Sequence, residues 1–461
     1  MPTCTQCITR GIECGYNKPI RKGRKVATQN LRRSPEQGVV TTFTAFGDQE
    51  YPNHESPTET TKHLTQQHVL DMYYDALACF TNVKAIERTE LESYLNHLDS
   101  DLSYYLNSLY FSIRALCEQR CGMMDAAEES MLFSRTALGN VFYDHSNFFV
   151  VCTYCYLSLY ESGCGRLKSA RFYMELVKFY YSELVKENRP EKVEEMRNLN
   201  RMLSAVEMNC QHDHGILASL KKWPESFERL VGVPLPEEWR QVLTQDITLF
   251  NYKSVLNIID MLAQLGHQLK GIHGYSEQVL KLHDMTFPLI LNGLRIEILE
   301  LVNCDAEIKE ECALSVTRQT ENELFSYAPS GVVPFVVAAA KVHLNIVKSI
   351  EKDERMHPTS CFVRSSTNDY VPILVDYFDI LQKDLKALQV LSKRYKKVTL
   401  FHSELLDDIT TTLHRRLLAN HLDQQQEQIT SALTTSSADD ASLFDLPYLT
   451  SMEMKDMFTF F

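Results

Sequence analysis

Glycine is scarce in this sequence, 16 residues in 461, and tryptophan is nearly absent, with two. Parallel sheets with phosphate-cradling turns need glycines that the chain does not supply. Few stretches alternate β-branched with polar residues as half-buried strands do. No run of about 18 uninterrupted apolar residues occurs, and no charged segment leads into an apolar one at the start, so neither membrane insertion nor secretion is expected. Gly-x-Ser-x-Gly, phosphate-loop and His-Glu-x-x-His signatures are missing, as is an internal period near 34 or 40 residues. With no named catalytic group, enzymatic activity is not expected.

What the chain does contain is helical periodicity. From about Lys62 apolar residues recur at i, i+3, i+4 and i+7 for most of the length, in a composition of 44% hydrophobic and 23% charged residues. Leu102, Tyr105, Leu106, Leu109, Tyr110, Ile113, Leu116 and Cys117 form one such stripe, and Ala170, Tyr173, Leu176, Val177, Tyr180 and Leu184 another. Further stripes run from Val255 to Leu265, Val279 to Leu301 and Tyr377 to Leu391, with Pro234, Pro236, Pro329, Pro334 and Pro358 between them. The spacing predicts an all-α, multi-helix body over residues 62–422, large enough for one big core or two ordinary ones.

Several clusters inside this body suggest chemistry but read better as packing. Cys152 and Cys155, and Cys117 with Cys121, lie in apolar helical sequence, where cysteine behaves as a small hydrophobe. His212 and His214 flank Asp213 without a third ligand, and Asp407-Asp408 lacks the downstream acid of an Asp-rich metal motif. Thirteen cysteines without small-scaffold spacing fit free thiols in a reducing compartment.

The two ends differ from the body. Residues 1–33 hold eight Lys or Arg and one acidic residue, whereas the remainder holds 39 basic and 59 acidic residues of the chain's total. Lys18, Arg21, Lys22, Arg24, Lys25, Arg32 and Arg33 make a cationic arm suited to DNA phosphates or to nuclear import, next to a body that phosphate would repel. Pro, Ser, Thr, Gln and Glu dominate from Ser34 to Thr61, so 18–61 reads as a basic and then polar linker. At the other end, residues 423–442 read as a second polar linker. Residues 443–461 interleave acids with Phe444, Leu446, Tyr448, Leu449, Met457 and Phe458. Such a segment stays soluble through its charge while offering large side chains to a partner groove; the alternative is a terminal amphipathic helix docked on the body.

Residues 2–16 read Pro-Thr-Cys-Thr-Gln-Cys-Ile-Thr-Arg-Gly-Ile-Glu-Cys-Gly-Tyr. The frame Pro-x-Cys-x-x-Cys, then Gly-x-x-Cys-x-Tyr, resembles the second half of the fungal binuclear zinc-cluster module, in which six cysteines hold two zinc ions and a basic helix enters the major groove. The resemblance implies that residues 1–17 belong to that module, with Cys4, Cys7 and Cys14 as zinc ligands. Met1 stands where the loop between the halves belongs, so the first three ligands and the basic helix are expected from a gene start further upstream or a lost exon. A real truncation would instead leave a cofactor recruited by full-length partners. A structural zinc takes four ligands in tetrahedral geometry, and three cysteines leave one place for water, His54, His63 or another chain.

The body is similar to the regulatory middle region of the same family. There a hairpin with small residues, an Arg-bearing helix and a Pro-rich turn follow in order, matched here by Gly163-Cys164-Gly165-Arg166, Met196-Arg197-Asn198-Leu199-Asn200-Arg201 and Val233-Pro234-Leu235-Pro236. Maltose and sucrose utilisation activators resemble the chain further, since their cluster also runs Cys-x-Tyr-x-x-Pro into Lys/Arg-rich residues. These likenesses imply a nuclear, zinc-dependent activator of RNA polymerase II transcription, acting on DNA and on coactivators or the general transcription machinery, with homodimerisation open. A helical scaffold or transcriptional cofactor without DNA binding of its own is the other expectation.

Overall fold

The side chain of Thr65 accepts a hydrogen bond from the backbone N–H of His68 and starts α1 (Gln66–Met72). This is the first element of the computed structural model, which describes residues 63–77, 84–96, 103–144, 147–187, 192–210, 221, 224–225, 228, 234–269, 277–355, 359–364 and 370–435. Of the described residues 83% are helical, in fourteen helices, so the body is an all-α, multi-helix domain.

α1 runs into a π-helical turn (Tyr73–Leu77), and α2 (Arg88–Asn96), α3 (Ser103–Arg120), α4 (Met124–Gly139), α5 (Phe148–Gly163), α6 (Leu167–Glu187) and α7 (Val193–Cys210) follow. Asn147 caps α5 by accepting from Phe149 N. Almost every residue of α5 is buried, because α3, α6 and α7 all pack against it; a helix apolar on all sides belongs at the centre. Val150, Val151, Tyr154, Tyr156 and Leu157 meet Leu109, Ile113, Val177 and Met202 in one core. The Tyr73 hydroxyl lies 2.8 Å from that of Tyr156 and accepts from Ala85 N at 2.9 Å, which satisfies the polar tips of two fully buried rings.

The second core is built from α8 (Glu237–Thr244), α9 (Tyr252–Leu269), α10 (Glu277–Val302), α11 (Ala306–Thr320), α12 (Val333–Glu351), α13 (Tyr377–Arg394) and the first part of α14 (Lys396–Thr435). The segment 330–351 has the length of a membrane span and contains an 18-residue window of mean hydropathy 1.6, 72% of which is buried inside this core among α10, α11 and α13. Gly293 of α10 makes that packing possible, since a Cβ there would sit 2.4 Å from Phe335 of α12. Asp376 starts α13 by accepting from Phe378 N and Asp379 N.

A short antiparallel hairpin, β1 (Ser360–Arg364) with β2 (Tyr370–Leu374), sits between α12 and α13 and pairs Ser360 with Leu374 and Arg364 with Tyr370. Helical periodicity gave no sign of it. The last helix also runs on past Leu422 to Thr435, into residues that read as linker by composition.

The two cores meet along a seam of small residues. Gly165, with a positive φ of 77°, ends the turn after α5, and a side chain there would strike Leu400 at 2.9 Å. Asn209 of α7 reaches Ser330, and Gly331 lies against the same side chain.

Three helices of the second core are tied by one fully buried network. Asp384 of α13 takes Thr317 Oγ1 at 2.5 Å on one oxygen and His343 Nδ1 at 2.6 Å on the other, and both members of the His–Asp pair are 0% exposed. Asp384→Ala leaves His343 Nδ1 without its acceptor, while Thr317 keeps the Ala313 carbonyl at 3.2 Å, and should cost about 3 kcal/mol in urea unfolding, whereas the double variant His343→Leu/Asp384→Leu should recover part of that loss.

α14 kinks at His402, whose φ of −133° and ψ of 21° break the helical run. Burial first, then the positive charges of Lys341 and Lys397, hold the His402 ring below the ordinary histidine value of 6.5. The folded state therefore favours the neutral ring, and the unfolded chain binds the proton more readily. Stability at this kink should be complete above pH 6.5 and fall as the pH drops through it, a slope that His402→Gln should flatten in thermal melts between pH 5 and 8.

Candidate functional site

Cys4, Cys7 and Cys14, the cationic residues Lys18, Arg21, Lys22, Arg24, Lys25, Arg32 and Arg33, and the tail residues Phe444, Leu446, Tyr448, Leu449, Met457 and Phe458 all lie outside the described residues, as do His212 and His214. His63, one candidate for a fourth zinc ligand, is described: its Nδ1 lies 2.9 Å from Glu118 Oε1 and its Nε2 3.2 Å from Glu129 Oε2. Glu118 is fully buried and also accepts from Leu64 N, Arg114 Nε and Ser130 Oγ. Both ring nitrogens of His63 are thus engaged, and the chain is pinned to α3 and α4 where it joins the body.

The turn Gly163-Cys164-Gly165-Arg166 carries the densest polar cluster. Glu161, 0% exposed near the end of α5, takes Arg135 of α4 on Oε1 and Arg166 Nε on Oε2, the latter at 2.5 Å. Arg166 also reaches Glu128 at 3.2 Å, and the Tyr160 hydroxyl donates to Glu128 at 2.6 Å. Burial opposes the charge on Glu128, but the Tyr160 hydrogen bond and Arg166 outweigh it and hold its carboxyl below the usual range. Burial likewise opposes the charge on Arg166, yet Glu161 keeps it above the ordinary arginine value. Two arginines and two glutamates balance, so the cluster clamps α4, α5 and the start of α6.

The neighbouring motifs are also structural in their contacts. Leu199 and Met202 of α7 enter the first core, and Arg197 pairs with Glu194 at the surface. After Pro234, the Leu235 N–H and Arg240 both reach Glu228, the guanidinium at 2.6 and 2.7 Å. Asp408 takes Lys348 at 2.7 Å. Among the described residues no three His, Cys, Asp or Glu side chains are arranged to hold a metal ion.

Sequence reading singled out neither Glu118 nor Glu161. For Glu161 a signal exists, a lone carboxylate inside the otherwise apolar Phe148–Gly163 helix, but its partners Arg135 and Arg166 lie on other elements and show no spacing that links them.

Comparisons with family models, curated proteins and solved structures find no match to this chain.

Cys117, Cys152 and Cys155 are buried, and burial raises all three thiols above their ordinary value; Cys312 and Cys361 are pushed up to about 12 by the same cause. Cys121 is exposed. Iodoacetamide at pH 8 should label Cys121 in the native protein while these five react only after denaturation, as peptide mapping would read; fast labelling of Cys152 or Cys155 would contradict this core placement.

Proposed function

We propose that the chain is a DNA-binding regulator of RNA polymerase II transcription of the fungal zinc-cluster type, with carbohydrate-utilisation genes as its targets. The observation that carries the proposal is the spacing of Cys4, Cys7 and Cys14 within the Pro2, Gly11, Tyr16 and Pro19 frame. The cationic residues from Lys18 to Arg33, the acidic and apolar residues from Phe444 to Phe458, and the all-α body between them support it. In this reading Cys4, Cys7 and Cys14 hold zinc as thiolates, and metal binding supplies much of the folding free energy of so small a module. Lys18, Arg21, Lys22, Arg24, Lys25, Arg32 and Arg33 contact phosphates or an import receptor and add affinity without choosing a sequence. The tail meets coactivators in the nucleus, and the body is the regulatory element between DNA and tail.

Translation of the genomic DNA upstream of Met1 is the first test. An in-frame Cys-x-x-Cys-x-x-x-x-x-x-Cys with interleaved Arg and Lys supports the DNA-binding reading. A chain carrying it should bind zinc and a specific duplex, and Cys7→Ser should abolish both, read by metal analysis and gel shift. Replacing Arg21, Lys22, Arg24 and Lys25 with Gln should lower the slope of log affinity against log salt by roughly 0.9 for each phosphate no longer neutralised, with the preferred sequence unchanged. Residues 430–461, tethered to an unrelated DNA-binding domain, should switch on a reporter. No zinc uptake with an active tail would mark a cofactor; no zinc uptake and a silent tail would leave the helical scaffold.

A further inference from the structure

The last helix changes faces. Over its inner part Leu405, Leu406, Ile409 and Leu413 pack onto the second core. From Arg415 to Leu422 every residue is exposed, and Leu417, Leu418 and Leu422 are 58%, 52% and 65% open to solvent. Arg415, Leu418 and Leu422 recur at i, i+3 and i+7, so they share one face; nine residues separate Leu418 from the buried Ile409, which sets Leu418 about 180° around the helix from it, with Arg415 at the edge nearest the body.

Arg415 edges these leucines, reaching Glu351 at 3.2 Å while remaining 55% exposed. Arg416, about 200° around the helix from Leu418, faces the body and lies 4.9 Å over the Phe378 ring. A leucine-lined surface edged by an exposed arginine suits an acidic segment with large apolar side chains. The chain carries such a segment downstream of the same helix: Asp439, Asp440 and Asp445 with Phe444, Leu446 and Leu449.

Its reach is sufficient. Leu418 lies about 26 Å back along the helix from Thr435 at 1.5 Å per residue. Phe444, nine residues beyond Thr435, extends up to about 30 Å from it. A chain turning back after Thr435 brings Phe444 and Leu446 alongside Leu418 and Leu422, and Asp445 to Arg415.

We propose that residues 443–461 fold back onto the Arg415–Leu422 face of their own helix, covering the side chains that would otherwise meet a coactivator. The inference rests on the activating role assigned to the tail and adds its regulation. Tethering makes a weak contact sufficient, because a short linker supplies an effective concentration in the millimolar range. A coactivator that binds the same side chains more tightly displaces the contact by mass action.

The test compares the full chain with Leu418→Asp/Leu422→Asp, whose changes fall on exposed positions, and with Phe444→Ala/Leu446→Ala/Leu449→Ala. Hydrogen exchange of backbone amides in 414–428 is read on the purified proteins. Protection in the wild type, reduced about tenfold in the tail variant and weakened in 1 M NaCl, is the expected result. In a reporter assay with each full chain tethered to an unrelated DNA-binding domain, the helix variant should raise output about threefold over the wild type. Equal exchange in the wild type and the tail variant would overturn the proposal, as would unchanged reporter output from the helix variant when residues 430–461 alone are active. Protection that falls on dilution would overturn it in favour of a second copy as the occupant. A silent 430–461 segment sinks the activating role, while exchange measures the contact independently of it.

Discussion

A carboxylate removed from water must have its charge matched by donors held in place, and three such groups organise this body. Glu118 joins the incoming chain at His63 and Leu64 to α3 and α4. Glu161 gathers Arg135 and Arg166 around the end of α5, and Asp384 connects α11, α12 and α13 through Thr317 and His343. All three are 0% exposed. Apolar packing is non-directional and tolerates helices that slide by a turn. A buried carboxylate does not, because each misplaced donor leaves a desolvated charge behind. The apolar stripes thus bring the helices together, and these three acids select their register.

The same balance bears on the functional reading. The described helices keep their ionic groups paired with one another around the Gly163–Arg166 turn, so the polar cluster there holds helices together. The residues proposed to meet DNA, zinc and coactivators sit instead near the two ends of the sequence, where charge of one sign or acids mixed with large apolar groups prevail.

Much of the fold was legible because an apolar stripe kept at helical spacing over several turns fits neither a strand nor a loop. The stripe from Tyr105 to Cys117 lies on α3, that from Ala170 to Leu184 on α6, and those of Val279–Leu301 and Tyr377–Leu391 on α10 and α13, while Leu102 lies outside the described residues. The hairpin was not legible: each strand has five residues, and Pro372 inside β2 argues against a strand until its pairing with Phe362 is seen. The outer end of α14 read as linker because Gln424-Gln425-Gln426 carries no apolar stripe, although glutamine is a good helix former and extends a helix already nucleated upstream. The buried carboxylates were hidden for a different reason, since their partners come from other elements and pairing at a distance leaves no period in the sequence.

The end of packing at Leu413 gives α14 a mechanical property. From Leu413 to Thr435 the helix is a rod of about 33 Å beyond its last apolar contact with the core, so a tilt of roughly 10° at that point sweeps its far end through about 6 Å. Whatever follows Thr435 is thereby carried well clear of the two cores by a support whose inner end packs on the second of them.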